Sequence, residues 1–486
     1  MQESKSTTST EGIGVGTGFL YVRLATELTA QMARGVLAPG ERLPSVRTLS
    51  RERGVSISTV MQAYMSLERD GRIVARERSG YYVSVPETSY RAPRSRASVV
   101  APAPVDIAEA VCQVLGRTEE ARLVPLGVAA PGPSLLPLRR LNRAVRAILA
   151  EAPENSARYG PVTGQPALRR QLARRAFAAG CTVDPDDIVV TAGGLEALNL
   201  CLRAVTRPGQ VIAVESPTYF GILQAAEALG LRAVEVPSEP GTGIRLDLLE
   251  RAIVRHRAVA VVCMTTCHNP LGSVLSRADK ADLVGLITRH QVPLIEDDVY
   301  GDLAFGEVRP PAAKSFDATG LVLFCSSVSK TLAPGLRLGW IEAGRFRDRV
   351  IFLKSITCMS TASLSQLALA RLLETGFFER HLRRLRLRLV EQLARYQNAV
   401  TSAFPEGTRV TRPQGGNLIW VQLPPGRDGT ELYRRALRQG ISIMPGEIFS
   451  VRRRHRGFIR LSCGAPWSAE IERAISVLGE ICGRLA

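Results

Sequence analysis

Residues 321–344 read LVLFCSSVSKTLAPGLRLGWIEAG. Two strand-length apolar runs, LVLFC (321–325) and LGWIEAG (338–344), enclose one lysine, Lys330. Ser327 stands three residues before it and Arg337 seven after it. An amine set into the core of a large domain loses solvation of its charged form. Its pKa falls, and the neutral amine becomes a nucleophile for aldehydes. A single lysine after a strand is ordinarily a solvated loop residue, so its surroundings have to decide its chemistry.

The same kind of run recurs upstream: IVVT (188–191), QVIAVE (210–215), AVAVVCM (258–264) and VPLIED (292–297). Helical patterns such as GLEALNLCLRAV (194–205) and RADKADLVGLITRH (277–290) lie between them. This alternation predicts an α/β unit with a mostly parallel sheet wrapped by helices. In such sheets ligands sit at the carboxyl ends of the strands.

The chain has 486 residues, 45 % of them hydrophobic, a length for about two or three domains. Its apolar runs fall well short of the ~18 residues a membrane span needs. The opening MQESKSTTSTEGIGVG lacks the basic-then-apolar order of a signal peptide and reads as a flexible leader, residues 1–18. Nine cysteines are scattered at 112, 181, 201, 263, 267, 325, 358, 463 and 482 without zinc spacing. Most sit in apolar context and read as core thiols, which suits a reducing cytoplasm, and no metal site is expected. The net charge of +18 is nearly all an excess of arginine. It is compatible with nucleic acid, but its location has to decide.

SVPETSYRAPRSRASVVAPAPVDI (84–107) holds no apolar period and reads as a linker. It separates a small unit, 19–83, from a large one, 108–486. In the small unit, LPSVRTLSRERGVSISTVMQAYMSLERDG (43–71) gives a helix opening at Pro44–Ser45, a break at Gly54 and a second helix opening at Ser56. Val60, Ala63, Tyr64 and Leu67 form the inner face of that second helix. Two short helices about a glycine-containing turn are a helix-turn-helix pattern. Ser58, Thr59 and Gln62 lie on the outward face, where hydroxyls and amides reach phosphates and base edges. IVARERSGYYVS (73–84) reads as a hairpin turning at Ser79–Gly80, with Arg76 and Arg78 on the wing. The order of leading helix, LPSxRxL, VSxxTV and glycine-bearing wing resembles the GntR family of winged-helix regulators. Ile57 departs from it, since many relatives carry a polar or basic residue there. The resemblance implies double-stranded DNA as partner, with Ser45, Arg47, Ser56, Ser58, Thr59, Gln62, Arg76 and Arg78 as candidate contacts.

In the large unit the residues around Lys330 match the needs of a pyridoxal 5'-phosphate site: an anion cradle, a carboxylate for the ring nitrogen, donors to the phenolic oxygen and a ring stack. TAGGLEAL (191–198) follows a strand and opens a helix, so Gly193 and Gly194 let backbone amides approach a phosphate. Ser327 and Arg337 add a hydroxyl and a bidentate cation. Asp297 ends a strand, as a partner for a protonated ring nitrogen. Tyr300 and Asn269 could donate to the phenolic oxygen and Tyr219 could stack on the ring, although an Asn-Pro turn and a core tyrosine are the plain alternatives for the last two. The ordered set RYGPVTGQPALR (158–169), TAGGLEAL, ESPTY, HNPLG, EDDVY (296–300), SVSK and GLRLGW resembles the fold-type I aminotransferases related to aspartate aminotransferase. That resemblance implies Lys330 as the Schiff-base lysine and assigns the other residues the same roles. It also implies that Tyr159 reaches a neighbouring subunit's phosphate, hence a homodimer, and that Arg460 in FIRLSCG grips a substrate carboxylate. Two departures stand out. Ala192 occupies a position where serine is frequent, and Leu195 and Glu196 replace polar residues common there, with the Glu196 carboxylate expected to point outward, away from a phosphate it would repel.

A GntR-like reader joined to an aminotransferase-like unit resembles the MocR family of bacterial regulators over essentially the whole chain. It implies a cytoplasmic transcription regulator, nucleoid-associated when on DNA, that senses an amine, an amino acid or the cofactor itself. An active aminotransferase with an accessory DNA-binding unit remains the alternative, since every mapped catalytic position is filled.

Overall fold

The computed structural model describes residues 20–34, 36–37, 40–76, 79–84, 92–93, 99, 101–118 and 123–485. The chain divides into two units, 1–88 and 89–486. The expected leader lies outside the described residues, as do 85–91, 94–98 and 100 of the expected linker. Within that linker stretch, Ala103–Pro104 forms an edge strand against Arg232–Glu239 of the second unit.

In the first unit, helices Leu20–Ala33, Val46–Arg53 and Ile57–Arg69 precede a hairpin of Ile73–Arg76 and Gly80–Val83. Ser45 Oγ accepts the Thr48 N–H and Ser56 Oγ the Thr59 N–H, each at 3.1 Å. These caps satisfy otherwise orphaned amides at the two helix starts, each contributing about 1 kcal/mol. Gly54 ends the earlier of the two helices at φ 62, in the left-handed region where a Cβ is disfavoured. Val60, Ala63, Tyr64 and Leu67, at helical spacing, are buried with Leu28, Leu49 and Ile73.

The second unit is built on a nine-stranded sheet. Its order is Ala103–Pro104, Arg232–Glu239, Val211–Ser216, Ala260–Cys263, Leu294–Asp297, Val322–Ser327, Gly339–Glu342, Ile188–Thr191, with Gly243–Ile244 beside Arg232–Glu239. The central strands run parallel. Gly339–Glu342 is antiparallel to both its neighbours. Alternation along each strand decides which layer a residue joins. Ile212, Val214, Val262, Ile295 and Leu323 pack with Leu198 and Ile222 of helices Gly194–Val205 and Phe220–Ala228. Ala213, Val261, Cys263, Leu294 and Val322 pack on the other face with Leu249 and Leu283 of helices Leu246–His256 and Arg277–Arg289. Strands covered on both faces read as continuous apolar runs, which is the pattern of the sequence.

A long helix, Phe377–Ala403, leads to a second, antiparallel sheet ordered Arg409–Val410, Leu418–Gln422, Phe458–Ser462, Met444–Pro445. The nine cysteines are free thiols; Cys112 is exposed and Cys358 half-buried. Lys280 and Lys354 are fully buried and Lys314 nearly so. Among the described residues no helix is long and apolar enough to cross a membrane.

Candidate functional site

Lys330 follows the strand Val322–Ser327 and stands half-buried at its carboxyl end. Its Nζ donates to the Ala129 carbonyl at 2.6 Å and lies 5.5 Å from the centre of the Tyr300 ring. Burial, helped by the Arg460 and Arg337 charges and opposed by Asp297, pulls its pKa down to about 8. A sizeable share of the amine is therefore neutral near physiological pH.

Asp297 is the last residue of the neighbouring strand, in register with Cys325. It is buried, accepts the Val299 N–H at 3.2 Å, and has its pKa pushed up to about 6 by burial. Lys330 and His268 pull it partly back. Tyr300 is buried, and its hydroxyl donates to the Ala129 carbonyl at 3.1 Å. Tyr219 precedes the helix Phe220–Ala228; burial first, then the Asp297 charge, raises its phenol pKa. Its ring lies against Gly221, where an added Cβ would meet ring carbons at 2.5 Å.

Arg460 reaches the site from the second sheet, in register with Trp420 and Met444. It is fully buried, and its Nη1 donates to Asn269 Oδ1 at 3.3 Å and its Nη2 to the Gly127 carbonyl at 2.6 Å. Its Nε has no hydrogen-bond partner. Burial lowers its pKa to about 10. Among the described residues no carboxylate pairs with it. A buried unpaired cation is costly, and an anionic ligand would relieve that cost. With its oxygen engaged by Arg460, the Asn269 amide keeps its N–H groups for a ligand.

The expected anion cradle falls where strand Ile188–Thr191 meets helix Gly194–Val205. Gly193 has φ 95, and a Cβ there would meet Arg337 Nη2 at 2.7 Å; a Cβ on Gly194 would meet Ser327 Cβ at 3.5 Å. The structure thus brings Gly193, Gly194, Ser327 and Arg337 together at one helix start, where amides and dipole favour anions. Arg337 adopts a left-handed φ of 50 and donates to the Ala192 carbonyl at 3.2 Å. The Ser327 hydroxyl donates to Ser329 Oγ at 2.9 Å. Glu196, expected to point outward, turns back to accept the Ala192 N–H.

Tyr159 is not drawn into this group; it stands 87 % exposed on the single chain. Reading along the sequence missed the Gly127 and Ala129 carbonyls, which carry no side-chain signal. It also missed the buried pair His268–Glu215, 3.3 Å apart, although His268 adjoins Asn269.

In the first unit, Arg47, Ser58 and Gln62 are exposed, and Thr59 partly so, on the helix pair. Ser45 and Ser56 use their hydroxyl oxygens as helix caps. Arg76 ends the first hairpin strand, and Arg78 lies outside the described residues.

The residues present fit pyridoxal phosphate: an amine of lowered pKa, a strand-end carboxylate, two donors, an aromatic ring, a glycine-lined anion cradle and an orphaned guanidinium nitrogen.

Residues 132–478 match the model of aminotransferases of class I and II, and residues 20–83 that of the gntR family of bacterial regulatory proteins. An uncharacterized HTH-type transcriptional regulator of Escherichia coli K12, YdcR, is 40 % identical, covering 95 % of this chain and 98 % of its own. A second from the same organism, YjiR, is 37 % identical, covering 95 % and 98 %. The crystal structure of LysN, the alpha-aminoadipate aminotransferase of Thermus thermophilus complexed with N-(5'-phosphopyridoxyl)-L-leucine, superposes with a TM-score of 0.70. It is 27 % identical and covers 78 % of this chain and 98 % of that one.

Proposed function

Because the chain belongs to the class I and II aminotransferase family and carries a gntR-family unit ahead of it, we propose that it is a DNA-binding transcription regulator of the MocR type. The aminotransferase-like unit is its sensor. The observation that carries the sensor reading is Arg460, a buried guanidinium without a carboxylate partner among the described residues, beside an amine of lowered pKa.

When bound, pyridoxal phosphate supplies an aldehyde that condenses with primary amines. Lys330 would be the chain's own amine for that aldehyde, and its Nζ, with a pKa lowered to about 8, can take or give a proton. Asp297 holds the ring nitrogen, and Asn269 and Tyr300 donate to the phenolic oxygen. Tyr219 covers the ring. Gly193 and Gly194 amides, Ser327 and Arg337 hold the phosphate. Arg460 selects amines that carry a carboxylate, so the ligand class is amino acids. Tyr159, exposed on one chain, completes the phosphate site of a second copy in a homodimer. The protein acts in the cytoplasm, on the nucleoid when DNA-bound through the outward face of Ile57–Arg69.

A ligand shifts DNA affinity only by its differential affinity for two arrangements of the protein. A coupling of ~1–3 kcal/mol changes that affinity about 5- to 150-fold. The test is binding of the full chain to DNA upstream of its own and neighbouring genes, at physiological salt with nonspecific competitor. Wild type is compared with Lys330→Ala, with and without pyridoxal phosphate and amino acids. A discrete site whose affinity responds to cofactor, amino acid or the lysine supports regulation. Sequence-blind, unresponsive binding overturns it. A second reading, amino-group transfer, is favoured by the lowered pKa of Lys330, since an amine whose pKa is brought down to about 8 can both give and take a proton near neutral pH. Multiple turnovers of an amino donor would establish it.

A further inference from the structure

Glu196 sits in the first turn of helix Gly194–Val205, the helix that the anion cradle opens. A carboxylate there suits the helix dipole but opposes a doubly charged phosphate. Its contacts resolve the conflict. Glu196 accepts the Ala192 N–H, and its Oε2 lies 3.7 Å from Lys354 Nζ. Lys354 is fully buried, and its other contacts are neutral: Thr361 Oγ1 at 3.0 Å and Cys358 Sγ at 3.3 Å. Thr361 Oγ1 in turn donates to the Val190 carbonyl at 3.2 Å, on the strand that leads into the cradle.

Residue 192 is therefore gripped from two sides. Glu196 takes its N–H, and Arg337 donates to its carbonyl at 3.2 Å. The alanine side chain contributes no hydroxyl for this purpose. The positive charge of Lys354 balances the negative charge of Glu196, 3.7 Å away, which leaves the Arg337 charge for a ligand.

We propose that Glu196 and Lys354 are positioning residues for the phosphate cradle. They hold the Ala192 peptide in place and cancel each other's charge, so that the loop presents its amides and Arg337 to a phosphate. This rests on the reading of the site as one for pyridoxal phosphate, and it concerns the phosphate end alone.

The test separates positioning from charge and phosphate from ring. Affinity of the full-length dimer or monomer for pyridoxal phosphate and for unphosphorylated pyridoxal is read by absorbance titration. Glu196→Ala, which loses both acceptor and charge, weakens pyridoxal phosphate by about tenfold or more and leaves pyridoxal unchanged. Glu196→Gln keeps an acceptor oxygen for Ala192 and stays within about threefold of wild type for both aldehydes. Should Glu196→Ala fail to fold, Lys354→Met and the Glu196→Gln value decide: Lys354→Met strands the carboxylate and weakens only the phosphorylated aldehyde. Equal losses for both aldehydes, or no loss for either, overturn the proposal while leaving the cofactor reading intact. Wild type that binds neither aldehyde overturns both.

Discussion

Lys330 Nζ and Tyr300 Oη donate to one acceptor, the carbonyl oxygen of Ala129, at 2.6 and 3.1 Å. One backbone oxygen thus fixes the spacing of two donors that come from different strand ends. The Gly127 carbonyl, two residues earlier, holds Arg460 in the same way at 2.6 Å. Any ligand that engages these groups has to win them from a single stretch of backbone.

Tyr300→Phe removes one of the two donors without changing volume greatly. The affinity for pyridoxal phosphate is expected to fall by about tenfold, the worth of one hydrogen bond to a charged or strongly polar oxygen. Absorbance titration of the purified variant measures it. Unchanged affinity would remove Tyr300 from the site.

Arg460→Lys keeps the charge but loses the planar fork that matches a carboxylate. Amino acid binding to the cofactor-loaded protein is expected to weaken about 100-fold, the cost of breaking a buried charged contact. Binding of the corresponding decarboxylated amine should not change. If both ligands weaken alike, Arg460 does not read the carboxylate.

Asp297 has its pKa raised from 3.8 to about 6, chiefly by burial. Between those values the unfolded chain has already released the proton that the folded chain still holds. The stability of the cofactor-free protein therefore falls as pH rises through about 4 to 6, by on the order of 2–3 kcal/mol for this group. Asp297→Asn, which keeps an oxygen for the Val299 N–H, abolishes that share of the fall. Melting temperatures of variant and wild type should diverge from pH 4 to 6 and run parallel above. Curves that stay parallel throughout would contradict the shift.

Gly193→Ala places a Cβ 2.7 Å from Arg337 Nη2 at a φ of 95 that L residues rarely adopt. The strain displaces the cradle cation. Pyridoxal phosphate affinity is expected to drop about 100-fold or more, at a stability cost of about 1–3 kcal/mol. Wild-type affinity in this variant would show that the cradle lies elsewhere.

Ser56→Ala and Gln62→Ala distinguish scaffold from reader in the first unit. Loss of the Ser56 cap should cost about 1 kcal/mol of that unit's stability. Gln62→Ala, on the exposed face, should leave stability within about 0.5 kcal/mol and lower affinity for the specific DNA site. Chemical denaturation and competition binding separate the two; a stability loss in Gln62→Ala would reverse the assignment.

The features legible in the sequence are those with a local period. Helix Gly194–Val205 and the helix pair capped by Ser45 and Ser56 show in apolar spacing and punctuation, because capping and amphipathicity act within a turn or two. The parallel strands show because both of their faces are covered. Strand Gly339–Glu342 reads like its neighbours, yet it runs antiparallel, and composition carries no direction. Arg460 and Tyr159 came from family resemblance alone, since nothing near them in sequence marks their chemistry. The Ala129 carbonyl meets Lys330 across 201 residues and Tyr300 across 171, contacts made by backbone with no residue-type signature. Glu196 turned toward Lys354, far along the chain, for the same reason: its partner is set by tertiary packing.

The buried lysines have a consequence for selectivity. The sequence contains Lys5, Lys280, Lys314, Lys330 and Lys354, and otherwise meets its need for cations with arginine. Of the four that the structure describes, Lys280, Lys314 and Lys354 are sealed in the interior. Guanidinium groups stay protonated and do not condense with aldehydes under ordinary conditions. A reactive carbonyl compound meeting the described part of this molecule therefore finds an almost amine-free exterior, and one lysine within reach. Among the described residues, Lys330 is the one lysine left partly open to solvent, so competing amines are scarce there by arginine usage and by burial together.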